Sequence, residues 1–396
     1  MQEQLSNDQG YFLNVASKGK NVFLTGKAGT GKSFIIKKLM ELLREQGKRF
    51  IAVAPTGVAA NNIKGQTIHS MFQVDPNGIM TFERASYINN QKRRILDTAD
   101  VIIIDEVSML RPDILDTINW VLLKNKLGGL SKKQVIFVGD LKQLPVIIDD
   151  NTKSVLYKEG YMGHTFRDAI CYKELNVEDV ELREVIRQTD PEFVEKLNVI
   201  REGGKDPYFQ QFSVDKGEDS GIVLAPHNST VNEYNKIGLS KIDSKLIEFH
   251  ADFSGKARAS DFNVDALIEV KDGAKIMYLV NSKSQNDLIN GTLGEFKVKD
   301  GKYFITVGKN DYKLERHEFT KKEYVLVYKT GELALMTVGT IKQYPIKLAY
   351  ALSIHKSQGL TFDEVTVDIT KRCFIPGQLY VALSRVKSPE GLKIIV

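Results

Sequence analysis

Short, nearly continuous apolar runs recur along the chain and predict strands buried on both faces of a parallel sheet. In the first half, these runs cover residues 22–25, 50–54, 101–104 and 135–138. Residues 33–46 carry apolar side chains three or four positions apart, and the pattern ends at Gly47, which predicts a helix. Strand, loop, helix and strand in this order predict an α/β fold with a nucleotide-binding core.

A second set of runs begins after residue 180 and predicts another core of the same kind. The segments predicted as strands or helices are residues 192–201, 222–225, 365–369 and 378–384. From about residue 267 to residue 341, hydrophobicity alternates with period two, which predicts a small antiparallel β-barrel inserted into the second core. Its strongest signal is Asp300 followed by Gly301, because this pair between FKVK and KYFITV is typical of a two-residue hairpin.

Composition narrows the class of protein. With 396 residues the chain exceeds one hydrophobic core, and its net charge of +5 suits an anionic partner without requiring one. Cys171 and Cys373 form no C-x-x-C pattern, which indicates a reducing environment and buried thiols. The scattered histidines argue against a structural zinc site. No apolar run approaches the roughly 20 residues of a membrane span, so we expect a cytoplasmic protein without a membrane partner.

The segment GKAGTGKS is a complete phosphate-binding loop of the form G-x-x-x-x-G-K-S. Its glycines let backbone N–H groups point at phosphate oxygens, Lys32 reaches the β- and γ-phosphates, and Ser33 offers its hydroxyl to Mg²⁺. The predicted contacts are Gly26, Ala28, Gly29, Thr30, Gly31, Lys32 and Ser33. The loop predicts ATP and Mg²⁺ as cofactors.

Two further segments place polar side chains after predicted strands. In VIIIDE, Asp105 is suited to hold Mg²⁺ and Glu106 to orient an attacking water. The alternative is a pair of acids that cap a helix, and the complete phosphate loop favours catalysis over it. In VGDLKQLPV, Asp140 and Gln143 reach the sheet edge where ligands bind, and Gln143 is suited to sense the γ-phosphate. A polar loop residue is the alternative for Gln143.

Arg187 and Arg385 are candidates for a cation that comes from a distant part of the chain and meets the γ-phosphate. Position alone does not decide their role, because arginines are common on surfaces and in ion pairs. If Arg385 meets the phosphate loop at one triphosphate, the site opens and closes with the state of the nucleotide. That behaviour is typical of a motor.

Seven segments in chain order resemble the Pif-type (petite integration frequency) DNA helicases and their RecD-like relatives in helicase superfamily 1. They are GKAGTGKS, APTGVAA with GQTIHSMF, IIIDEVSM, GDLKQLP, LREVIRQ, SIHKSQGLTFDEV and LYVALSRV. The resemblance runs from about Gln9 to the end of the chain. Ser353 replaces a usual threonine and LPV lacks a second proline, but neither departure removes a functional group. The absence of a long N-terminal extension favours a bacterial or phage-like form.

The resemblance implies two RecA-like cores with ATP between them, single-stranded DNA across both, and 5′-to-3′ movement. It also implies that the inserted barrel is SH3-like. The predicted domains are a first core (1–72 and 99–180), a short insertion (73–98), a second core (181–266 and 341–396) and the barrel (267–340).

The resemblance also assigns roles to individual residues. Gln9 matches the position that contacts adenine. The matches in the ATP site are Lys32, Ser33, Asp105, Glu106, Gln143, Arg187 and Arg385. The matches in the DNA-contacting motifs are Pro55, Thr56, Thr67, His69 and Phe72 in the first core and His355, Lys356, Gln358, Gly359 and Thr361 in the second.

Binding of a single strand without sequence preference needs cations and small polar groups for phosphates, and flat surfaces for bases. His69 and His355 are the best candidates for such contacts, although a lone histidine is more often a core residue. Because a translocating motor accepts every sequence, we expect DNA affinity to fall steeply with salt.

The insertion at residues 73–98 is the candidate for a strand-separating wedge. Phe82 or Tyr87 is placed to stack on the last base pair, and the cluster Lys92, Arg93 and Arg94 to meet the displaced strand. An equal alternative is a solvated loop whose aromatic side chains are buried, since sequence does not separate stacking from buried rings.

These observations predict an ATP-dependent 5′-to-3′ DNA helicase, monomeric in solution, that acts on single-stranded and on forked or 5′-tailed duplex DNA. One alternative is a DNA-stimulated translocase that remodels protein–DNA complexes without separating strands. Another is a nucleotide-gated switch that grips DNA but hardly turns over. Glu106 and the two arginines argue against the switch.

Overall fold

The computed structural model describes residues 5–75, 79–146, 148–184, 190–217, 221–282, 288–327 and 330–396. The chain divides into two compact units. The first contains residues 1–187 and 322–337, and the second contains residues 188–321 and 338–396.

A parallel sheet of six strands organises the first unit, in the order β3-β2-β4-β5-β1-β6. Its strands are β1 (Val22–Gly26), β2 (Phe50–Ala54), β3 (Gln66–Thr67), β4 (Val101–Ile104), β5 (Gln134–Val138) and β6 (Glu178–Leu182). All four apolar runs of the first half form strands of this sheet, and nearly all of their residues are buried. The predicted parallel core is confirmed.

Helices cover both faces of this sheet. They are α1 (Asn7–Ser17), α2 (Lys32–Glu45), α3 (Gly57–Asn62), α4 (Ile68–Phe72), α5 (Asn90–Thr98), α6 (Pro112–Lys124) and α7 (Asp150–Lys158). Successive side chains of a strand point to opposite faces. Leu24 of β1 accordingly packs in one hydrophobic cluster with Leu39 of α2, while Phe23 packs in a second cluster with Ile118 of α6.

The edge of β2 is completed by a distant hairpin made of β15 (His317–Val327) and β16 (Glu332–Gln343). Strand β3 pairs only with Val53 and Ala54. One residue earlier, the N–H of Ala52 donates to the hydroxyl of Tyr324 at 2.9 Å, and the N–H of Tyr324 donates to Oε1 of Gln66 at 3.1 Å. Tyr324 is buried, so its hydroxyl replaces the partner that the short β3 does not supply.

This contact corrects the predicted extent of the barrel. The tip of the hairpin, residues 322–337, was assigned to the barrel, but it groups with the first unit. Leu326, Leu333 and Leu335 of the tip pack against the hydrophobic cluster of the first unit. Sequence periodicity reports which face of a strand is apolar, and it does not report the sheet on which that face packs.

The second unit contains a parallel sheet of four strands in the order β18-β7-β19-β20. Its strands are β7 (Ile222–Ala225), β18 (Ala351–Ser353), β19 (Val365–Asp368) and β20 (Leu392–Ile395), and its helices are α8 (Pro191–Arg201), α9 (Asn228–Ser240) and α10 (Gln378–Leu383). The four predicted elements of the second core are thus present, and the α/β class with two parallel sheets is confirmed.

Antiparallel strands fill the middle of the second unit. A five-stranded sheet has the order β14-β13-β12-β11-β17, β8 pairs with β10, and β9 pairs with the base of the β15–β16 hairpin. The strands not yet given are β8 (Leu246–His250), β9 (Asp252–Gly255), β10 (Leu267–Lys271), β11 (Lys275–Tyr278), β12 (Leu293–Lys299), β13 (Lys302–Val307), β14 (Asn310–Lys313) and β17 (Ile346–Leu348). The antiparallel region therefore starts at Leu246, before the predicted boundary at 267.

The hairpin predicted at Asp300 and Gly301 is confirmed. These two residues alone connect β12 to β13, and their φ angles are 49° and 70°. Both central residues of a type I′ turn need positive φ, which asparagine, aspartate and glycine tolerate best.

Two further observations concern the cysteine thiols and the length of the helices. Both cysteines are free thiols, with Cys171 buried and Cys373 half-buried. No helix within the described ranges has the length and apolar character needed to span a membrane.

Candidate nucleotide and nucleic-acid sites

The loop between β1 and α2 turns on glycines. Gly29 and Gly31 have φ angles of 81° and 83°, in the left-handed region that favours glycine. A Cβ on Gly26 would lie 2.7 Å from the carbonyl oxygen of Leu182, so the backbone passes β6 too closely for a side chain. The predicted need for glycine in this loop therefore has a steric cause at Gly26.

Lys32 folds back across its own loop. Its Nζ donates to the carbonyl oxygens of Gly26 at 2.6 Å and Lys27 at 3.0 Å, and the hydroxyl of Thr30 also donates to Lys27 O at 3.0 Å. Ser33 lies exposed at the start of α2. An incoming phosphate would replace these carbonyl oxygens as the hydrogen-bond partner of the Lys32 ammonium group.

Asp105 follows β4 and lies within electrostatic range of Lys32. Burial raises the pKa of Asp105 to about 6, while the N–H of Glu106 and the charge of Lys32 oppose the rise. The N–H of Glu106 donates to Oδ1 of Asp105 at 2.8 Å, and Glu106 itself has a φ of 51°. The structure thus brings together the lysine, the carboxylate and the proposed catalytic glutamate.

Asp140 and Gln143 follow β5. Asp140 is 2% exposed and accepts hydrogen bonds from the N–H of Lys142 at 3.0 Å and from Nε2 of Gln143 at 3.5 Å. Since β4, β5 and β1 are neighbours in a parallel sheet, the loops that follow them share one edge. All predicted ATP-site residues of the first unit that follow these strands therefore lie at that edge.

Gln9 belongs to α1 and not to the loops after the strands. Gln9 is buried and closes a capping box on α1, because its Oε1 accepts from the N–H of Ser6 at 3.2 Å and its own N–H donates to Ser6 Oγ at 3.2 Å. Its predicted contact with adenine stays a prediction. Arg187 lies outside the described residues.

Two threonines of the predicted DNA motifs in the first unit cap short helices. The hydroxyl of Thr56 accepts from the N–H of Ala59 at the start of α3, and that of Thr67 accepts from the N–H of Ser70 at the start of α4. The adjoining Pro55 is half-buried.

His69 in α4 is half-buried. Burial lowers its pKa, and the positive charge of Arg111 lowers it further, while Asp113 opposes them. His69 is consequently neutral at pH 7.

Phe72 corrects one prediction. Its side chain is 0% exposed and packs in the hydrophobic cluster of the first unit, so it presents no surface to a base. Alternating polar and apolar residues in GQTIHSMF do not distinguish a stacking ring from a core ring. We therefore remove Phe72 from the DNA contacts.

The second DNA motif is a loop after β18 in the second unit. Lys356 and Gly359 are exposed, and Gln358 and Thr361 are half-buried. Nε2 of His355 is buried without a hydrogen-bond partner among the described residues, and burial lowers the pKa of its ring.

Arg385 is deeply buried, and its predicted contact with the γ-phosphate stays a prediction. It is 2% exposed, and its guanidinium group donates to Val381 O at 2.8 Å, Ser384 Oγ at 2.8 Å, Leu360 O at 3.2 Å and Ser357 O at 3.5 Å. In this structure Arg385 is bonded within the second unit.

Sequence reasoning missed residues beside Lys356. A cavity of about 430 Å³ is lined by Lys356 together with Asn228, Asn232 and Lys347. Burial lowers the pKa of Lys347, whose Nζ lies 3.2 Å from Oδ1 of Asp265. Residues 228–232 and 347 carry no motif: residues 228–232 begin α9, directly after β7, which pairs with β18, and Lys347 lies in β17, shortly before β18 in the chain.

The insertion displays both wedge candidates. Phe82 is 46% exposed and meets Trp120 edge to face at 6.3 Å, and Tyr87 is 77% exposed. Nζ of Lys124 lies 4.8 Å from the ring of Phe82 and 5.6 Å from that of Tyr87. Neither ring is buried.

The basic cluster of the insertion is partly bonded. Lys92 donates to the carbonyl oxygen of Ser70 in α4, and Nε of Arg93 donates to Asn125 O at 3.2 Å. Lys92 and Arg93 are therefore bonded to other parts of the first unit.

Oxygen donors at the phosphate loop and after β4 suit Mg²⁺. Across the described ranges, no group of three or more His, Cys, Asp and Glu side chains is arranged to hold a metal ion. Mg²⁺ is usually held by one or two protein ligands together with phosphate oxygens and waters. The exposed hydroxyl of Ser33 and the carboxylate of Asp105 fit such a partial site.

The chain is similar to known protein sequences over most of its length. The family model described as "PIF1-like helicase" matches residues 4–205. The "ATP-dependent DNA helicase Pif1" of Campylobacter jejuni is 32% identical, and the alignment covers 94% of this chain and 88% of that protein.

Solved structures agree along the whole chain. A crystal structure of Bacteroides sp Pif1 in complex with ADP-AlF4 aligns with a TM-score of 0.88 at 32% identity, covering 99% of this chain and 92% of that chain. A crystal structure of Bacteroides Pif1 bound to ssDNA aligns with a TM-score of 0.68 at 33% identity and the same coverage.

Proposed function

Because the chain belongs to the family of PIF1-like helicases and is an ATP-dependent DNA helicase, we propose that it moves 5′ to 3′ along one DNA strand and unwinds the duplex ahead. The observation that carries the proposal is the meeting of Lys32, Asp105 and Glu106 at the sheet edge. The Bacteroides relative bound to ssDNA supports a single strand as the track.

The side chains have complementary roles in hydrolysis. Lys32 leaves the carbonyl oxygens of its own loop and binds the β- and γ-phosphates. Glu106 orients the attacking water, and Gln143 senses the γ-phosphate from its place beside Asp140. Arg187 and Arg385 stabilise charge on the transferred phosphoryl group. For Arg385 this requires release from its present carbonyl partners.

Ser33 and Asp105 would hold Mg²⁺ beside the phosphates. Held by these two residues, Mg²⁺ would supply positive charge that stabilises the phosphates during hydrolysis. The exposed hydroxyl of Ser33 is free of the helix cap, since α2 has no side-chain cap.

DNA contacts come from both units. We propose Pro55, Thr56, Thr67 and His69 in the first unit. In the second unit we propose His355, Lys356, Gln358, Gly359 and Thr361, with Lys347 and Asn232 added from the cavity beside Lys356. Neutral histidines and threonine hydroxyls suit contacts without sequence preference.

Strand displacement from tailed duplexes tests the proposal. With ATP and magnesium, a duplex with a 5′ single-stranded tail should be separated, and one with a 3′ tail should not. Separation of only the 3′-tailed duplex would refute the direction. DNA-stimulated ATP hydrolysis without separation of either would support the translocase that remodels protein–DNA complexes. Absence of DNA-stimulated hydrolysis would support the nucleotide-gated switch.

We also propose that Phe82 and Tyr87 form the wedge, since both rings are exposed and held by Lys124. Replacing both with alanine should slow strand separation about tenfold while ATP hydrolysis on single-stranded DNA stays normal, because base stacking contributes about 1–3 kcal/mol per base. Tyr157→Ala, at another exposed aromatic residue of the first unit, is the control. Normal separation by the double variant would rule out the wedge.

We propose that the protein acts on forked or 5′-tailed duplexes and is a monomer in solution. Sedimentation of the protein alone and with a forked duplex tests the second statement. A dimer in both samples would contradict it.

A further inference from the structure

Arg385 connects α10 to the loop that carries the second DNA motif. On its own helix, its guanidinium group donates to Val381 O and Ser384 Oγ. On the loop, it donates to Ser357 O and Leu360 O. One planar group with five donors is suited to hold several oxygens at once.

The two bonded carbonyl groups flank the tip of the loop. Between Ser357 and Leu360 lie only Gln358 and Gly359, both proposed DNA contacts. Ser357 is 0% exposed, whereas Gly359 has a φ of 82° and open space where a Cβ would be. Arg385 therefore restrains both ends of a two-residue tip that is itself accessible.

Backbone bonds also join the two segments. The N–H of Phe362 donates to Arg385 O at 2.9 Å, and the N–H of Lys387 donates to Phe362 O at 3.1 Å. These bonds fix the end of the loop to the backbone after α10. They leave the tip itself to be held by the side chain of Arg385 and by local turns such as Leu360 N–H to Ser357 O at 3.0 Å.

We propose that Arg385 is a positioning residue for DNA binding: by holding the carbonyl groups of Ser357 and Leu360, it keeps Gln358 and Gly359 in the shape that contacts the strand. This inference rests on the proposed role of the loop as a DNA contact. It gives Arg385 an effect on DNA affinity when no nucleotide is present. A residue that acts only on the γ-phosphate has no such effect.

The same bonds link DNA binding to the nucleotide. A guanidinium group that turns to a phosphate gives up its bonds to Ser357 O and Leu360 O. The tip then loses its restraint, and the grip on the strand weakens. Arg385 would in this way exchange one partner for the other during the cycle.

Binding of a fluorescent oligothymidylate without nucleotide tests the proposal. Arg385→Met fills a similar volume without donors and should weaken binding about tenfold. Arg385→Lys keeps the charge without the planar fork and should weaken it about threefold. Arg316→Met is the matched control, because Arg316 also donates to a backbone carbonyl of the second unit, that of His250, and should bind within twofold of the parent protein.

Hydrogen exchange separates a positioning role from a general loss of structure. In Arg385→Met, the amides of residues 357–362 should exchange faster, while those of β7 and β19 keep their protection. If protection is lost throughout the second unit, the role is structural and the proposal is refuted. Ser384→Ala removes the acceptor of one Arg385 bond and the bond from Ser384 Oγ to Val381 O, and should weaken binding about threefold, more than the control, so it carries the test if Arg385→Met does not fold.

Unchanged oligothymidylate binding by Arg385→Met and Arg385→Lys, with loss of ATP hydrolysis, would overturn the proposal and leave Arg385 a phosphate contact only. Failure of the proposed function is seen separately, in the tailed-duplex assay on the parent protein. A protein that separates 5′-tailed duplexes but binds oligothymidylate equally well with and without Arg385 would retain the function and lose this inference.

Discussion

Lys32 in the first unit and Arg385 in the second each bond to the backbone of a loop, and the two loops differ in construction. Each is a cation proposed to meet the γ-phosphate, and each donates to backbone carbonyl oxygens in the structure. Lys32 bonds to two oxygens of its own loop and is half-buried. Arg385 is 2% exposed and bonds to a separate loop. The shape of the first loop depends on its glycines, and that of the second on a side chain.

The difference predicts different consequences of movement. When Lys32 leaves Gly26 O and Lys27 O, the backbone that it leaves is still constrained by the close approach of Gly26 to β6. When Arg385 leaves Ser357 O and Leu360 O, the tip between them loses the side-chain bonds of Arg385 and keeps the local turn from Leu360 N–H to Ser357 O. Nucleotide exchange should thus hardly alter the first loop but should alter the second.

The largest effect is expected from Lys32→Ala. ATP hydrolysis should fall about 10²- to 10³-fold, because a preorganised cation at the γ-phosphate is lost. The fold should persist, since the bonds of Lys32 to Gly26 O and Lys27 O lie within its own loop. Steady-state ATPase and circular dichroism measure these outcomes, with Lys37→Ala on the same helix as the control. A Lys32→Ala protein with normal turnover would refute the site.

The second-largest effect is expected from a glycine substitution in the first loop, compared with one in the second. Gly26→Ala places a Cβ 2.7 Å from Leu182 O, so the loop must shift and the KM for ATP should rise at least tenfold. Gly359→Ala meets no atom within 4 Å and should cost only the strain of positive φ, about 1–2 kcal/mol in the free energy of unfolding. ATPase kinetics and urea denaturation measure the two changes. An equal effect of both on KM would contradict the comparison.

Replacing each of the two cations with methionine should change the stability of the protein by different amounts. Arg385→Met should lower the free energy of unfolding by about 2 kcal/mol, because the hydrogen bonds of a buried guanidinium group are lost. Lys32→Met should change it by less than about 1 kcal/mol, since Lys27 O keeps the hydroxyl of Thr30 as a donor. Urea denaturation of both variants against the parent protein is the measurement. A larger loss for Lys32→Met would mean that the first loop also depends on its side chain.

The smallest effect concerns the histidines of the two DNA motifs. The pKa of both His69 and His355 is lowered by burial, but only His69 has a further contribution from Arg111. Both rings should therefore be neutral at pH 7 and gain charge only below the ordinary value of about 6.5. Added salt screens the charge of Arg111 but does not change the burial of either ring. Raising the salt concentration should therefore raise the pKa of His69 more than that of His355. Titration by NMR at two salt concentrations tests this, and equal shifts would contradict it.

Local chemistry made much of the fold predictable from sequence. Apolar runs located the strands of both parallel sheets, and Asp300 with Gly301 located a hairpin because two residues determine its turn. Lys32, Asp105 and Gln143 were predictable because each follows a strand of one sheet. In these cases the physical cause lies within a few residues of the signal.

Contacts between distant segments were not predictable. The segment VALSRV does not indicate that Arg385 bonds to Ser357 O and Leu360 O, because the residues next to an arginine in the sequence do not show whether its side chain is buried or exposed. Phe72 was assigned to DNA because a motif contains it, although its ring completes a core. The tip of the β15–β16 hairpin was placed in the barrel because alternation does not reveal the sheet on which it packs.

The hydroxyl of Tyr324 has a consequence for synthesis on the ribosome. The N–H of Ala52 receives its acceptor from a residue 272 positions later in the chain. At roughly 5–20 residues per second, the nascent protein waits on the order of 15 to 55 seconds before that acceptor is made. During this interval a strand edge of the nucleotide-binding sheet is open to pairing with other chains, so this edge is where a chaperone would act first.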